Sequence, residues 1–339
     1  MYELNYNDYD RKVYETEIKD FIPDEFIDLH CHIWKKTFKR QTIPNEGSKW
    51  PLLVADEFSA EQLLDTYNVL FPDKKVTPLC FGDVNYDIYQ NNAYVNEKAK
   101  EFNFPTLLRT DWTTTPEELE KYVSEYNCLG LKPYITNCLS YIPPKETRIF
   151  DFLPHEHLEI ANKHGWIIML HIPRSKRLRD EVNLAQLMEI EKKYPDIKLV
   201  VAHIGRAYSI EDIGDAFEVI KNTENMMFDF TANLSDDAIR ACIETVGTKR
   251  LMFGSDFPIA SMRMYRITEK GFYYNIVPRG LYGDVSDDPH MRESDEKDIT
   301  LMIYEQLRAF LRVARSMKLS DKDVEDIMYL NSKRLIESF

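Results

Sequence analysis

The sequence has few cysteines, and no two of them are closely spaced. Among its 339 residues there are five cysteines, an odd number, scattered along the chain with no CxxC pair. A disulfide framework is therefore not expected, and a reducing cytoplasmic environment fits the sequence better. The five are Cys31, Cys80, Cys128, Cys138 and Cys242.

Long hydrophobic runs are also missing. The longest, WIIML at 166–170, is far shorter than the ~20 apolar residues that a membrane-spanning helix needs. The first residues, MYELNYNDYDRKVYETEIKDF, contain no apolar segment of the kind that signal peptides carry. These features predict a protein that neither enters a membrane nor is exported.

Positive charge is in deficit. Lysine and arginine number 43 against 57 aspartates and glutamates, giving a net charge of −14 that is spread along the chain. Nucleic acids and anionic membranes are bound through a basic surface, so neither is expected as a partner. A small anionic molecule is not excluded, because an acidic protein can still contain a local basic pocket.

Eight short apolar runs are present, and they alternate with longer amphipathic segments. This alternation predicts a parallel sheet, and the nearly continuous apolar character indicates that helices cover it. Eight such units favour the α/β class and a closed (β/α)8 TIM barrel over an open sheet. Three helical segments begin with start signals, at Ser59, at Thr115 before Pro116, and at Ser235. The runs are FIDLH, KVTPLCFG, FPTLLRT, LGLKPYI, WIIMLHI, IKLVVAHIG, NMMFDFTAN and RLMFGSDFP.

Two connections are longer than a minimal barrel needs. They are insertions at 33–60, after the first strand, and at 258–299, after the eighth. Both leave the carboxyl ends of strands, where barrel enzymes place their active sites, so we interpret them as a lid or substrate wall. Two extra helices, at about 300–317 and 320–337, are predicted to close the chain. Without an internal repeat or linker, residues 1–339 are predicted to form a single domain.

Histidines and one carboxylate lie at the ends of several predicted strands. His30 and His32 are two residues apart at the end of the first strand, so their side chains share a face. His171, His203 and Asp256 lie at the tips of the fifth, sixth and eighth strands. All should meet at one mouth of the barrel. Imidazoles with one carboxylate suit a divalent metal, most often Zn²⁺ with one position left for water, although Mn²⁺ or Co²⁺ would accept similar ligands.

The other histidines are interpreted differently. His155 and His157 also form an HxH pattern, but they follow Pro154 at the start of a predicted helix, where residues two apart diverge. We expect both on the surface. His164 precedes a glycine at a helix end and is expected to interact with the helix dipole. His290, in the last long connection, is a weaker candidate for the pocket.

The motifs DLHCH, MLHI, VAHIGR and FGSDFP resemble those of the amidohydrolase superfamily. The chain is most similar to the branch that includes aminocarboxymuconate-semialdehyde decarboxylase and related amidohydrolase-2 proteins, and the resemblance covers roughly 26–339. It implies that His30, His32 and His171 are metal ligands. It also implies that Asp256 is a ligand or holds the catalytic water, and that His203 acts as acid or base. Members of this branch often pair, which makes a homodimer an expectation.

Strand four contributes Lys132, which the resemblance relates to a lysine that bridges two ions in two-metal members. Because this branch usually works with one metal, we interpret Lys132 as contacting the substrate. Arg174 and Arg206 follow strands five and six, and we hypothesise that one or both hold a substrate carboxylate. Trp34 is a further candidate for contact with the substrate. It could form an aromatic wall with residues of the last connection, namely Tyr265, Phe272, Tyr273 and Tyr274.

These residues predict a metal-dependent hydrolase of a small carboxylated compound, such as an amide or lactone. The alternative is a non-oxidative decarboxylase, a lyase that acts on an unsaturated or aromatic acid at the same metal site. An isomerase of sugar acids ranks lower, because that subgroup of the superfamily departs from this pattern in its strand motifs. A barrel that binds metal without catalysis ranks lower too, because the ligand set is accompanied by an acid/base pair.

Overall fold

Eight parallel strands form the centre of the protein, one from each of the predicted apolar runs. The computed structural model describes residues 2–40 and 51–339, so part of the insertion predicted at 33–60 lies outside the described residues. The strands are β1 Glu25–His32, β2 Lys75–Phe81, β3 Leu108–Thr110, β4 Gly130–Pro133, β5 Ile167–Leu170, β6 Lys198–Val201, β7 Met227–Asp229 and β8 Leu251–Met252.

The strands follow one another around a barrel in sequence order. β1 pairs with β2, and β3 to β8 form a six-stranded parallel sheet. Parallel bridges join the two groups on both sides, from Cys80 to Thr106 and from Cys31 to Phe257. The backbone N–H of Leu29 also donates to the carbonyl of Phe253 at 3.1 Å, which links β1 to β8. The predicted (β/α)8 architecture is confirmed.

Alternate residues of each strand face the barrel interior or the surrounding helices. On β5, Ile167 and Met169 belong to the inner apolar cluster, whereas Ile168 and Leu170 belong to the outer one. The register of β1 against β2 shifts between Asp28 and Cys31, which interrupts this alternation. As a result Leu29 packs in the inner cluster while Cys31 packs in the outer layer, and the two histidines that flank Cys31 face the mouth.

Helices cover the outside of the barrel, and the predicted start signals cap them. The hydroxyls of Ser59, Thr115 and Ser235 each accept a hydrogen bond from a backbone N–H three residues later. Among the described residues, no helix combines the length and apolar character that crossing a membrane requires. Apart from the short kinked turn His203–Arg206, the α-helices of the described residues are Asp8–Val13, Pro51–Val54, Ala60–Leu70, Ile88–Phe102, Pro116–Tyr126, His155–His164, Glu181–Lys193, Ile210–Ile213, Ala216–Ile220, Asp236–Val246, Met302–Met317, Asp321–Glu325 and Asn331–Ile336.

Two predicted helices differ in detail. The amphipathic segment at 211–221, between the sixth and seventh apolar runs, is predicted as one helix but is interrupted at Gly214, which has a φ of 49° and separates Ile210–Ile213 from Ala216–Ile220. The last predicted helix contains a π-helical stretch at Asp326–Leu330. The helix Asp8–Val13 was not predicted, because its short polar sequence shows no apolar period.

Replacing Thr115 by Ala tests the contribution of one predicted cap. Its hydroxyl accepts from the Glu118 N–H, and the Glu118 carboxylate accepts from the Thr115 N–H in return. Loss of such a cap costs about 1 kcal/mol, so the free energy of unfolding in urea should fall by about that amount. Thr115→Ser keeps the hydroxyl and should stay close to wild type. Equal losses in both variants would contradict a capping role.

The connection after β8 folds into a small sheet of its own. β9 (Tyr265–Glu269) and β10 (Phe272–Pro278) form an antiparallel hairpin, and β11 (Met291–Ser294) pairs in parallel with β10. This insertion sheet is tied to the amino-terminal helix by a buried ion pair. The Arg263 guanidinium donates to Asp10 at 2.6 Å, and Asp10 also accepts from the Thr300 hydroxyl at 2.6 Å.

Candidate active site

Four histidines and Asp256 meet at the mouth formed by the carboxyl ends of the strands. The ring centres of His30 and His32 are 5.6 Å apart, those of His30 and His203 4.9 Å, and those of His171 and His203 5.2 Å. Asp256 Oδ1 is 3.2 Å from His32 Nε2 and 3.5 Å from His30 Nε2. Residues that are up to 226 positions apart in the sequence therefore share one site.

The donor atoms of this cluster fit a divalent metal. His30, His203 and Asp256 each offer one ligand atom, and these atoms lie within 4.8 Å of one another. Within the described residues, the buried Nδ1 of His171 has no hydrogen-bond partner. This tightest group differs in membership from the expected ligand set, because it includes His203, whereas the resemblance implied His32 and His171. Four imidazoles and one carboxylate suit zinc and other first-row divalent ions.

Asp229, at the end of β7, orients the imidazole of His30, and the sequence analysis did not identify this residue. It ends β7 inside the run NMMFDFTAN, is fully buried, and lies 3.1 Å from His30 Nδ1 through Oδ2. Its Oδ1 accepts from the backbone N–H of His203 at 2.7 Å. A carboxylate on one imidazole nitrogen leaves the lone pair of the other nitrogen free for a metal. A carboxylate at the tip of a predicted strand was the signal that could have revealed it.

Burial sets the protonation of the cluster. Burial, with the nearby Lys132 charge, lowers the pKa of His30 well below its ordinary value, and burial also lowers the pKa of His171 and His203. Burial alone would raise the pKa of Asp256. The hydrogen bond from His32 and the nearby imidazoles outweigh that effect and hold the pKa of Asp256 at about 2. The site therefore presents neutral imidazoles and an ionised carboxylate, the forms that bind metals.

Lys132 lies fully buried beside this cluster. Its Nζ is 3.3 Å from His30 Nε2 and 4.6 Å from the centre of the Phe81 ring. Burial lowers the pKa of Lys132 to about 8, against the opposing influence of Asp229 and Asp256. The lysine is thus a site component rather than a solvated surface group.

Several mouth residues adopt a left-handed backbone conformation. His203, Arg206 and Asp256 have φ values of 58°, 60° and 70°. Non-glycine residues in this region cost on the order of 1–3 kcal/mol each, and such strain concentrates at functional sites. The sharp turns direct these side chains into the mouth immediately after their strands end.

A cavity of about 290 Å³ opens above the cluster. Its walls come from the strand ends and from the insertion sheet. Most of the lining residues are aromatic or can form hydrogen bonds. The charged and aromatic side chains that line it, together with Asn275, are His32, Trp34, Asp83, Tyr134, His171, His203, Arg206, Tyr208, Asp256, Arg266 and Tyr273.

Some of the predicted substrate contacts reach this cavity and others do not. Trp34, Arg206 and Tyr273 line it. Arg174 does not, which corrects its expected position. Its Nε pairs with Asp180 at 2.8 Å and its Nη1 donates to a backbone carbonyl at 3.3 Å, because a left-handed turn at Arg174 directs the side chain along the rim. Three further predicted wall residues, Tyr265, Phe272 and Tyr274, also lie outside the lining.

Two of the remaining histidines are structural. His157 is buried rather than exposed, and its Nε2 donates to the carbonyl of Thr114 at 2.6 Å, so the prediction of a surface position was wrong for this residue. The prediction failed because the first turn of the helix His155–His164 packs against the loop after β3, which contains Thr114. His290 stacks on Tyr273 with ring centres 3.9 Å apart and thereby supports the cavity wall from behind.

The buried His157 should make stability depend on pH. Burial lowers the pKa of His157 below 6.5 in the folded protein. As the pH falls, this imidazole is therefore protonated more readily in the unfolded chain than in the folded one. Stability is then lost as pH falls through about 6.5, by up to about 2 kcal/mol near pH 5 from this one group. His157→Gln should flatten this dependence in urea unfolding measured from about pH 5 to 7. The same slope in both proteins would contradict the assignment.

Comparisons with known proteins identify a matching family model and structures of the same fold. The amidohydrolase family model Amidohydro_2 matches residues 27–274. No curated protein sequence matches significantly. Among solved structures, an amidohydrolase from Burkholderia multivorans with bound zinc has a TM-score of 0.61 at 13% identity, covering 91% of this chain and 98% of that one.

Two further structures carry more specific descriptions. A probable 2-pyrone-4,6-dicarboxylic acid hydrolase from Acinetobacter baumannii has a TM-score of 0.58 at 14% identity, with 92% and 99% of the two chains covered. A 2,6-dihydroxybenzoate decarboxylase from Rhizobium has a TM-score of 0.57 at 13% identity, with 93% and 99% covered. At such identities the similarity establishes the fold.

Proposed function

Because the chain belongs to the amidohydrolase-2 family, we propose that it is a metal-dependent hydrolase of a small carboxylated substrate, such as a lactone or amide. The observation that carries the proposal is the contact of Asp256 Oδ1 with two imidazoles at 3.2 and 3.5 Å, at the floor of the cavity. A carboxylate held among neutral imidazoles can bind a metal and also accept a proton. The free cysteines suit a cytoplasmic enzyme.

The metal would be held by His30, His32, His171 and Asp256, with His203 beside them. Zn²⁺ is the ion we propose, and Mn²⁺ or Co²⁺ are the alternatives. When bound, such an ion acidifies water and polarises a carbonyl group. The donors fit because burial lowers the pKa of His30 and His171 and keeps these imidazoles neutral, and because Asp229 fixes the tautomer of His30.

The protein's own residues then divide the remaining work. Asp256 Oδ accepts the proton of the attacking water and returns it to the leaving group. His203, whose Nδ1 is 2.9 Å from the Thr231 carbonyl, is held so that Nε2 faces the cluster and stabilises charge that develops on the substrate. Arg206 binds the substrate carboxylate as a fork, and Lys132 adds a positive charge beside His30.

A second candidate is non-oxidative decarboxylation of an aromatic or unsaturated acid. The observation that favours it is the aromatic lining, in which Tyr134 stacks on His171 with ring centres 5.4 Å apart. A ring held flat against these groups would present an acidic substituent to the cluster. A proton delivered to the ring carbon would then replace the departing CO₂.

Turnover of two probe compounds separates the candidates. We would incubate the zinc-loaded protein with 2-pyrone-4,6-dicarboxylate, following ring opening by absorbance, and with 2,6-dihydroxybenzoate, following CO₂ release. Ring opening that stops on chelation and returns with zinc supports the hydrolase. CO₂ release alone supports the lyase. Turnover that is unaffected by complete metal removal would contradict a metal-dependent mechanism.

A further inference from the structure

The insertion sheet contributes an arginine to the cavity that sequence analysis did not single out. Arg266 lies on β9 and lines the cavity. Its Nε donates to Asn275 Oδ1 at 2.9 Å and its Nη1 donates to the carbonyl of Ala232 at 3.2 Å. These two bonds fix the plane of the guanidinium, and Nη2 has no hydrogen-bond partner within residues 2–40 and 51–339.

Arg266 and Arg206 differ from the neighbouring arginines in their charge balance. Arg174 pairs with Asp180 and Arg177 with Asp212, at 2.8 and 2.7 Å. Within the part of the chain that the structure describes, neither Arg206 nor Arg266 forms an ion pair with a carboxylate, and both donate only to neutral oxygens. Two guanidiniums without a direct ion-pair partner therefore face one small cavity, which Asp83 and Asp256 also line, and burial lowers the pKa of Arg266. Both arginine side chains are half-buried, and a partly desolvated charge without an ion-pair partner indicates that an anion completes the pairing.

The two guanidiniums are anchored to different parts of the frame. Arg206 Nη1 donates to the carbonyls of Ile172 and Arg174, which follow β5, each at 3.3 Å. Arg266 is held by the loop after β7 and by the insertion sheet. Separate anchors favour two distinct anion positions over one shared position.

Two aromatic rings pack against the guanidinium of Arg266. The Arg266 guanidinium carbon is 4.6 Å from the ring centre of Tyr208 and 4.9 Å from that of Tyr273. The two tyrosines meet edge to face with centres 5.3 Å apart. Both tyrosines line the cavity, so a ligand held by Arg266 would contact aromatic surface, which suits a planar ring.

We propose that Arg206 and Arg266 each hold one anionic group, so that the cavity selects a small planar dianion such as a ring dicarboxylate. Arg266, contributed by the insertion sheet, is the residue that distinguishes dianions from monoanions. The inference rests on the proposed function for the identity of the site, and it names the substrate class of that site.

Calorimetric titration of the zinc-loaded full chain with benzene-1,3-dicarboxylate and with benzoate tests this inference without requiring turnover. The dicarboxylate should bind at least about tenfold more tightly, because a second charge-assisted hydrogen-bonded pair contributes. Arg266→Gln should weaken dicarboxylate binding at least about tenfold and leave benzoate binding within about twofold. Unchanged benzoate binding also shows that the variant is folded.

Arg292→Gln is the matched control. Arg292 lies on the same sheet and stacks on a tyrosine, with its guanidinium carbon 3.5 Å from the Tyr274 ring centre, but it pairs with Glu269 and lies outside the cavity lining. It should bind both acids as wild type does. If Arg266→Gln does not fold, Arg266→Lys keeps the charge without the fork and should show an intermediate loss.

The outcomes separate this inference from the proposed function. Equal wild-type affinities for the two acids, or dicarboxylate binding that survives Arg266→Gln, would overturn the inference even if metal-dependent hydrolysis is observed. Tight, Arg266-dependent dicarboxylate binding without turnover of any probe would support the inference and count against the proposed function.

Discussion

Replacement of Asp256 by Asn is expected to lower kcat about 10³-fold for whichever probe compound the wild-type protein turns over. Asparagine keeps the shape of the side chain but can no longer accept the proton of the attacking water, and general acid–base catalysis contributes about 10²- to 10⁴-fold. The loss should be large because Asp256 Oδ1 is the carboxylate oxygen that contacts both His30 and His32. Initial rates at saturating substrate and the zinc content of each preparation would be measured together.

Asp295→Asn provides the control for this experiment. Asp295 is exposed on the insertion, pairs with Arg279 at 2.7 Å and lies outside the cavity lining. Its replacement removes the same charge and should leave kcat unchanged. An Asp256→Asn protein that keeps more than about a tenth of the wild-type rate would show that this carboxylate is not the proton acceptor.

Replacement of His30 by Gln is expected to weaken zinc binding by about 10²- to 10³-fold. Structural zinc sites are held by about 10–16 kcal/mol shared among four ligands, so one ligand accounts for about 2.5–4 kcal/mol. His30 is well placed for this test because it is fully buried and Asp229 holds its orientation. Competition with a chelating dye measures the affinity directly and does not depend on a known substrate.

The second HxH pair supplies the matched control. His155→Gln changes a histidine of the same local pattern, whose Nδ1 is 2.8 Å from the Tyr194 hydroxyl at the outer side of the barrel. Zinc affinity should be unaffected by this change. Equal zinc binding by His30→Gln and wild type would remove His30 from the metal site and would contradict the ligand set proposed here.

Much of the barrel could be predicted because its physical signals are local. Apolar runs of four to eight residues mark buried strands, and hydroxyl residues before polar helices mark caps, so the strands and the caps at Ser59, Thr115 and Ser235 are confirmed. That His30 and Asp256 lie close together could also be predicted, because all the parallel strands of a barrel end at the same face. The register shift in β1 left no readable signal, since it depends on how β1 meets β2.

The parts that sequence could not provide depend on side-chain direction and on the insertion. Arg174 and Arg206 follow strands in similar contexts, yet Arg174 is captured by Asp180 while Arg206 reaches the cavity. His157 is buried because of a contact with a neighbouring loop, which a helical pattern does not encode. Arg266 lies in a hairpin whose register decides which side chains face inward, and a shift of one residue would have reversed them.

The ion pair between Asp10 and Arg263 connects the amino-terminal helix to the chain segment that forms one wall of the cavity. Arg263 is only three residues before Arg266, and the same stretch of chain forms the cavity wall. The helix Asp8–Val13 therefore holds the segment that leads into β9 in place, and through it the position of the cavity wall. We expect replacement of Asp10, which removes this ion pair, to change ligand preference at the cavity.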